Sequence, residues 1–435
     1  MRRLLLIAFL IALSLRAEDK LGTIVFPNSG KAEAQGAFLR GVAALHNFWY
    51  EEALDSFREA ERIDPNFTLA CWGEAMTFNH PIWMEIDVNG GRAALAKITA
   101  PAPTPREQQY VDAVRLLYGD GEKAQRDVAY EAAMAKLASA YPDDLEAQVF
   151  HALSILGTMG RDEPDARKQV RAAAILESLF PSHLDHPGVL HYLIHAYDDP
   201  VLAPLGLRAA QRYAKVAPAA HHALHMPSHI FVQLGMWDDV AHSNEASYAT
   251  SKAWVARKSL PASRRDLHSL QWLQYAYLQQ GRFDDAKKLI DEANGDSHHE
   301  QMTKQRMVAR YAIETGDLSA LESLRADLLS SNYGSAHDAK VAESIQREVE
   351  ALTAKKEGRM NDAIADARQA VAIEDSLGAP SGPPDIFKPA HELYAELLLE
   401  AGKPKEAAEQ YRIALARMPN RRLSVIGLKK CGGGI

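Results

Sequence analysis

Apolar residues recur at helical spacing along nearly the whole chain, and the strict alternation that marks a strand is almost absent. Glycine supplies the punctuation. Gly235-Met-Trp-Asp-Asp, Gly281-Arg-Phe-Asp-Asp-Ala, Gly316-Asp-Leu and Gly358-Arg-Met-Asn-Asp-Ala each set a Gly before an acidic segment, Ala-rich in the clearer copies. A Gly there provides the positive φ at which a helix ends. The pattern predicts about ten helix-turn-helix pairs, starting near residues 34, 68, 107, 144, 187, 221, 267, 302, 344 and 388. Residues 100–105 and 378–384 are rich in Pro and Gly and read as loops between pairs.

Two segments share one internal spacing. Counted from Ala34, the residues Gly41, Ala53, Phe57, Ala60 and Pro65 fall at positions 8, 20, 24, 27 and 32 of a 34-residue unit. Counted from Lys388, Ala395, Ala407, Tyr411, Ala414 and Pro419 fall at the same positions, with Gly402 in the turn. On these residues the chain resembles the tetratricopeptide repeat family. That resemblance implies an all-α, right-handed α-solenoid whose first helices line a concave groove that takes a peptide or protein partner. It further resembles a group of exported bacterial repeat proteins through Cys71-Trp-Gly-Glu-Ala-Met-Thr-Phe-Asn-His-Pro, His186-Pro-Gly-Val-Leu-His-Tyr-Leu-Ile-His, His225-Met-Pro-Ser-His-Ile-Phe and Lys388-Pro-Ala-His-Glu-Leu-Tyr. This narrower likeness implies fold and export but no reaction. The expected organisation is a signal peptide at 1–17, a lead-in at 18–33, N-terminal and central repeats at 34–262, C-terminal repeats at 263–421 and a tail at 422–435.

Export follows from the first residues. Arg2 and Arg3 precede an apolar run at 4–15 that is too short for a comfortable membrane span; cleavage after Ala17 is expected, with an uncleaved anchor as the alternative. The mature chain then belongs in the periplasm or outside the cell, without a membrane span. Losing 1–17 leaves 46 basic residues against 57 acidic ones, a net charge of -11 in place of -8, which disfavours nucleic acid as a partner. Cys71 and Cys431 are too far apart in sequence to read as a metal or redox pair, and Cys71 reads as core.

The candidate chemistry lies in the histidines. His191 and His225 are 34 residues apart, one repeat, and so are His195 and His229. With units starting at Pro187 and His221, they fall at groove positions 5 and 9, and each i,i+4 pair shares one helix face. Pro227 interrupts the second pair, so a helix must begin or kink there. His46 and His80 are also one repeat apart, and His268 falls at groove position 2. Imidazoles suit a borderline transition metal such as Cu or Zn, and i,i+4 pairs on packed helices can surround one. The same quartet would serve to hydrogen-bond an anionic ligand or to pack as core. Asp198, Asp199, Arg306, Arg310, His391 and Glu392 complete the expected groove. Gly-x-Ser-x-Gly turns, phosphate loops and dinucleotide fingerprints are absent from the sequence. Two function classes remain, a metalloprotein and a scaffold that binds a peptide or protein without metal.

Overall fold

The computed structural model describes residues 20–159, 165–295, 297–319, 336–380 and 382–432; the expected signal segment at 1–17 lies outside the described residues. The fold is all-α. Among the described residues the sheet consists of one antiparallel hairpin, β1 (Asn79–His80) and β2 (Glu85–Ile86), with His80 opposite Glu85. No helix among them is long and apolar enough to cross a membrane.

The chain divides into two compact units, Met1–Tyr197 with Leu205–Pro227 and Asp198–Pro204 with Ser228–Ile435. The division falls earlier than the expected boundary at 262 because the helix Trp237–Arg257 packs on Leu267–Gln280 and goes with the second unit.

The helices up to the division are α1 (Gln35–His46), α2 (Tyr50–Ile63), α3 (Thr68–Met76), α4 (Val88–Ala96), α5 (Pro105–Leu117), α6 (Lys123–Ala140), α7 (Leu145–Gly157), α8 (Ala166–Leu179), α9 (Pro187–Tyr197), α10 (Ala203–Val216) and α11 (His221–His225). The repeat pattern becomes packing in α1 and α2. Ala53, Phe57 and Ala60 form the buried stripe of α2, whose first turn carries Glu51 and Glu52 and whose last carries Arg62, matching the helix dipole. A Cβ on Gly41 would stand 2.8 Å from the Phe57 ring, so the small residue lets α1 and α2 close. Thr104 caps α5 ahead of Pro105, and Asp144 caps α7 by accepting the Ala147 N–H. The lead-in is part of this core: Phe26 packs against Phe38, Trp72 and Tyr110, and the Leu21 carbonyl accepts from Asn47 Nδ2 at 2.9 Å. In the same unit α9 packs against α1, α7 and α8.

Pro227 ends the ambiguity over the second histidine pair. A break follows His225, and α12 (Pro227–Gln233) starts with the proline at the position where a missing N–H costs nothing. The second unit continues with α13 (Trp237–Arg257), α14 (Leu267–Gln280), α15 (Phe283–Glu292), α16 (His298–Thr315), α17 (Ala336–Lys356), α18 (Met360–Ser376), α19 (Ala390–Glu400), α20 (Pro404–Arg417) and α21 (Arg422–Lys430). Gly281 closes α14 at φ 75°. The expected tail is in fact α21, held because Gly427 and buried Leu428 pack on Tyr411.

Candidate metal centre

Three imidazoles of the first unit point Nε2 at one place. His191 and His195 lie one turn apart on α9, and His222 lies in the first turn of α11. His191 Nε2 is 3.1 Å from His195 Nε2 and 3.2 Å from His222 Nε2, and the three ligand nitrogens all lie within 4.8 Å of one another. Metal–imidazole bonds of about 2.0–2.1 Å place tetrahedral neighbours about 3.3 Å apart, close to these spacings.

The tautomer of His191 follows from its other nitrogen. Nδ1 is 2.7 Å from the backbone carbonyl of His46, which can only accept, so the proton sits on Nδ1. Nε2 therefore presents a lone pair to His195 and His222. A second hydrogen bond of this kind is what orients a metal-bound histidine. Burial, and after it the charge of the neighbouring imidazoles, pushes the His222 ring far below its ordinary 6.5 and keeps it neutral.

Aromatic side chains wall the trio. Phe48 meets the His191 ring at 4.3 Å between centroids, Tyr213 stacks on it at 5.1 Å, and Trp83 is 5.6 Å from His222. Phe48 has φ 51°, a left-handed conformation that costs a non-glycine residue about 1 kcal/mol or more. Asn47 holds that turn: its Oδ1 accepts from Tyr213 Oη at 2.7 Å, and its Nδ2 donates to Leu21 and Ala43 carbonyls at 2.9 and 2.8 Å. His191 is fully buried, whereas His195 and His222 are partly open to solvent.

Behind the trio lies a network that is complete without an ion. His46 Nε2–H donates to Glu146 Oε2 at 2.7 Å, and Tyr192 Oη donates to His46 Nδ1 at 2.9 Å. His186 Nε2–H donates to Glu146 Oε1 at 3.0 Å while its Nδ1 accepts the Val189 N–H, so His186 also caps α9. Burial alone would raise the Glu146 carboxyl; the charge and hydrogen bonds of His186 and His46 outweigh it and hold the group at about 2. Burial pushes His46 below 6.5 against the pull of Glu146. The three ligand atoms are as close as those of the trio, but every nitrogen is spent within the core. The network fixes His46, whose carbonyl in turn fixes His191. Gly188 admits the His46 ring: a Cβ there would be 2.5 Å from His46 Nδ1.

The other expected site residues are placed as follows. His225 ends α11, fully buried, with its ring 6.1 Å from that of His222. His46 contributes its carbonyl to the trio and its ring to the core. His80 is on β1, stacked on Tyr50 at 3.9 Å and 3.2 Å from Glu85 Oε2, outside the trio. In the second unit His229 Nδ1–H donates to Asp198 Oδ2 at 2.6 Å, and its ring centroid is 6.1 Å from that of His268. Asp199 accepts the Gly382 N–H at 3.3 Å. Arg310 and Glu392, expected in the groove, are buried. Arg310 donates to the Gln271 carbonyl and Gln274 Oε1, and burial brings it down to about 9. Glu392 accepts from Arg421 and Ser424, and His391 binds Gln410 and Asp375. Arg306 is exposed.

Sequence reasoning passed over His222, His186 and Glu146. His222 was within reach, since it occupies groove position 2, the same position as His268.

No protein-family model and no curated protein matches the chain. Among solved structures it is similar to the Cut9-Hcn1 hetero-tetramer of APC/C, at 14% identity over 98% of this chain and 81% of that one, with a TM-score of 0.39. It is similar also to yeast Tom70, at 11% identity over 92% and 81% with a TM-score of 0.32. The human IFIT1 dimer with m7Gppp-AAAA gives 13% identity, 90% and 91% coverage and a TM-score of 0.32. These likenesses are too remote to bear on the chemistry.

Proposed function

We propose that this chain is an exported helical-repeat protein that binds a transition-metal ion, copper or zinc, through Nε2 of His191, His195 and His222. The observation that carries the reading is the convergence of these nitrogens at 3.1 and 3.2 Å, with the only proton of His191 spent on the His46 carbonyl. The single lone pair of His191 Nε2 lies within 3.2 Å of Nε2 of both His195 and His222, a spacing that one ion shared by the three nitrogens would account for. With an ion, three neutral imidazoles supply three ligands and leave a position open toward solvent, the arrangement of catalytic rather than purely structural sites. A neutral ligand set suits a borderline divalent or a monovalent copper ion better than a hard, oxygen-seeking one.

Metal that binds only the folded state stabilises it by about 2.7 kcal/mol at a hundredfold excess over Kd. Excess Zn or Cu should raise the melting temperature of the purified protein and a chelator should lower it. His195→Ala should abolish most of that shift, and His337→Ala, which removes a half-exposed ring beside Asp385, should leave it. Equal shifts in both variants would remove the trio as ligands. Export has its own check, since N-terminal sequencing of periplasmic or secreted protein should begin near Glu18.

A further inference from the structure

We propose a second, independent metal centre in the other unit, built on His229 and His268 with Asp198 holding His229 from behind. Asp198 is 2% exposed and takes the His229 Nδ1–H at 2.6 Å, a short, charge-assisted bond. The acceptor can only be the carboxylate, so the lone pair of His229 is on Nε2. A carboxylate behind an imidazole fixes its ring and raises its strength as a ligand. Gln233 Nε2 steadies the other oxygen of Asp198 at 3.4 Å while donating to the Gly382 carbonyl at 2.9 Å.

Trp272 sets the plane of the ring, stacking on His229 at 4.4 Å and 24°. His268 stands four residues before Trp272 on α14, hence on the same helix face, and Asp266 caps that helix by accepting the Ser269 N–H. The result is that a ring nitrogen of His268 lies within 4.8 Å of one of His229. His268 is exposed, which gives an ion a way in. Two imidazoles of this kind suit the same borderline metals as the trio. With fewer ligands from the unit, the centre fills after the trio, and the remaining positions go to further donors or solvent.

The test is a calorimetric titration of the full mature protein with Zn2+ at neutral pH, with the melting temperature of each metal-free variant as a check on folding. The parent should show two classes of site, each of about one ion. His229→Ala and His268→Ala should each remove the weaker class and keep the tighter, and His195→Ala should do the reverse. Asp198→Asn, which keeps size but not charge, should weaken the weaker class about 10- to 100-fold. If His229→Ala does not fold, the surface variant His268→Ala decides. A parent that saturates at one ion, lost in His195→Ala, would overturn this centre and leave the trio standing. Two classes that both survive in His268→Ala and Asp198→Asn would overturn it as well. A single class lost only in His268→Ala would uphold this centre and refute the trio.

Discussion

Replacing Glu146 by Gln tests how the first unit holds the proposed metal ligands. Glu146 is fully buried and receives two imidazole N–H groups, one on each oxygen. Gln keeps the shape but brings one acceptor and one NH2 donor, so one imidazole N–H faces another N–H. His46 could move its proton to Nδ1, but the Tyr192 hydroxyl would then have to accept there, and its own hydrogen would be stranded. The tautomer shift relocates the defect without removing it. Losing a hydrogen bond to a charged group and stranding a donor together cost about 3–5 kcal/mol. Linkage gives a similar figure: a carboxyl held at about 2 in place of 4.5, at about 1.4 kcal/mol per pH unit, contributes about 3 kcal/mol at pH 7. Because the folded value is depressed, that contribution is present above 4.5 and disappears as pH falls toward 2. Chemical denaturation followed by far-UV circular dichroism should therefore show Glu146→Gln destabilised by about 3 kcal/mol or more at pH 7. The gap to the parent should narrow below pH 4.5. A variant within about 1 kcal/mol of the parent at pH 7 would refute the reasoning.

Acid should destabilise the metal-free protein from pH 6.5 downward. His46, His222 and His229 are all held below 6.5, chiefly by burial, so the unfolded chain takes the protons first and stability falls with pH. Each ring still neutral in the fold costs about 1.4 kcal/mol per pH unit, and a urea midpoint unchanged between pH 7 and 5.5 would contradict this. Gly188→Ala should lower the melting temperature, because its Cβ would lie 2.5 Å from His46 Nδ1 and 2.8 Å from Val149 Cγ1. Overpacking of this kind costs about 1–3 kcal/mol, and an unchanged melting curve would show that the ring yields freely.

The helices were legible in the sequence because a repeat uses the same contact at the same position. Gly41 and Phe57 were placed by their repeat positions, and the fold brings them into contact. The pairing of His191 with His195 was legible for the same reason, being local to one helix. What sequence could not supply was the use of a residue by a distant partner. His46 has the spacing of a ligand, but Glu146, far along the chain, takes its ring and leaves only its carbonyl for His191. Arg310 and Glu392 sit at groove positions by count, yet core carbonyls and Arg421 draw them inside. His222 was missed because the i,i+4 pattern favours His225 and His229, between which Pro227 starts a new helix. The compact units divide ahead of α13 because α13 packs forward onto α14, which nothing local in its sequence announces.

The measurement that bears most directly on the trio is X-ray absorption at the metal edge of the purified protein loaded with one equivalent of zinc or copper. Three imidazole nitrogens bound at about 2.0–2.1 Å are expected, falling to two in His222→Ala with the parent's fold retained. A spectrum with only oxygen neighbours, or an imidazole shell that His191→Asn, His195→Ala and His222→Ala all leave unchanged, would contradict the account.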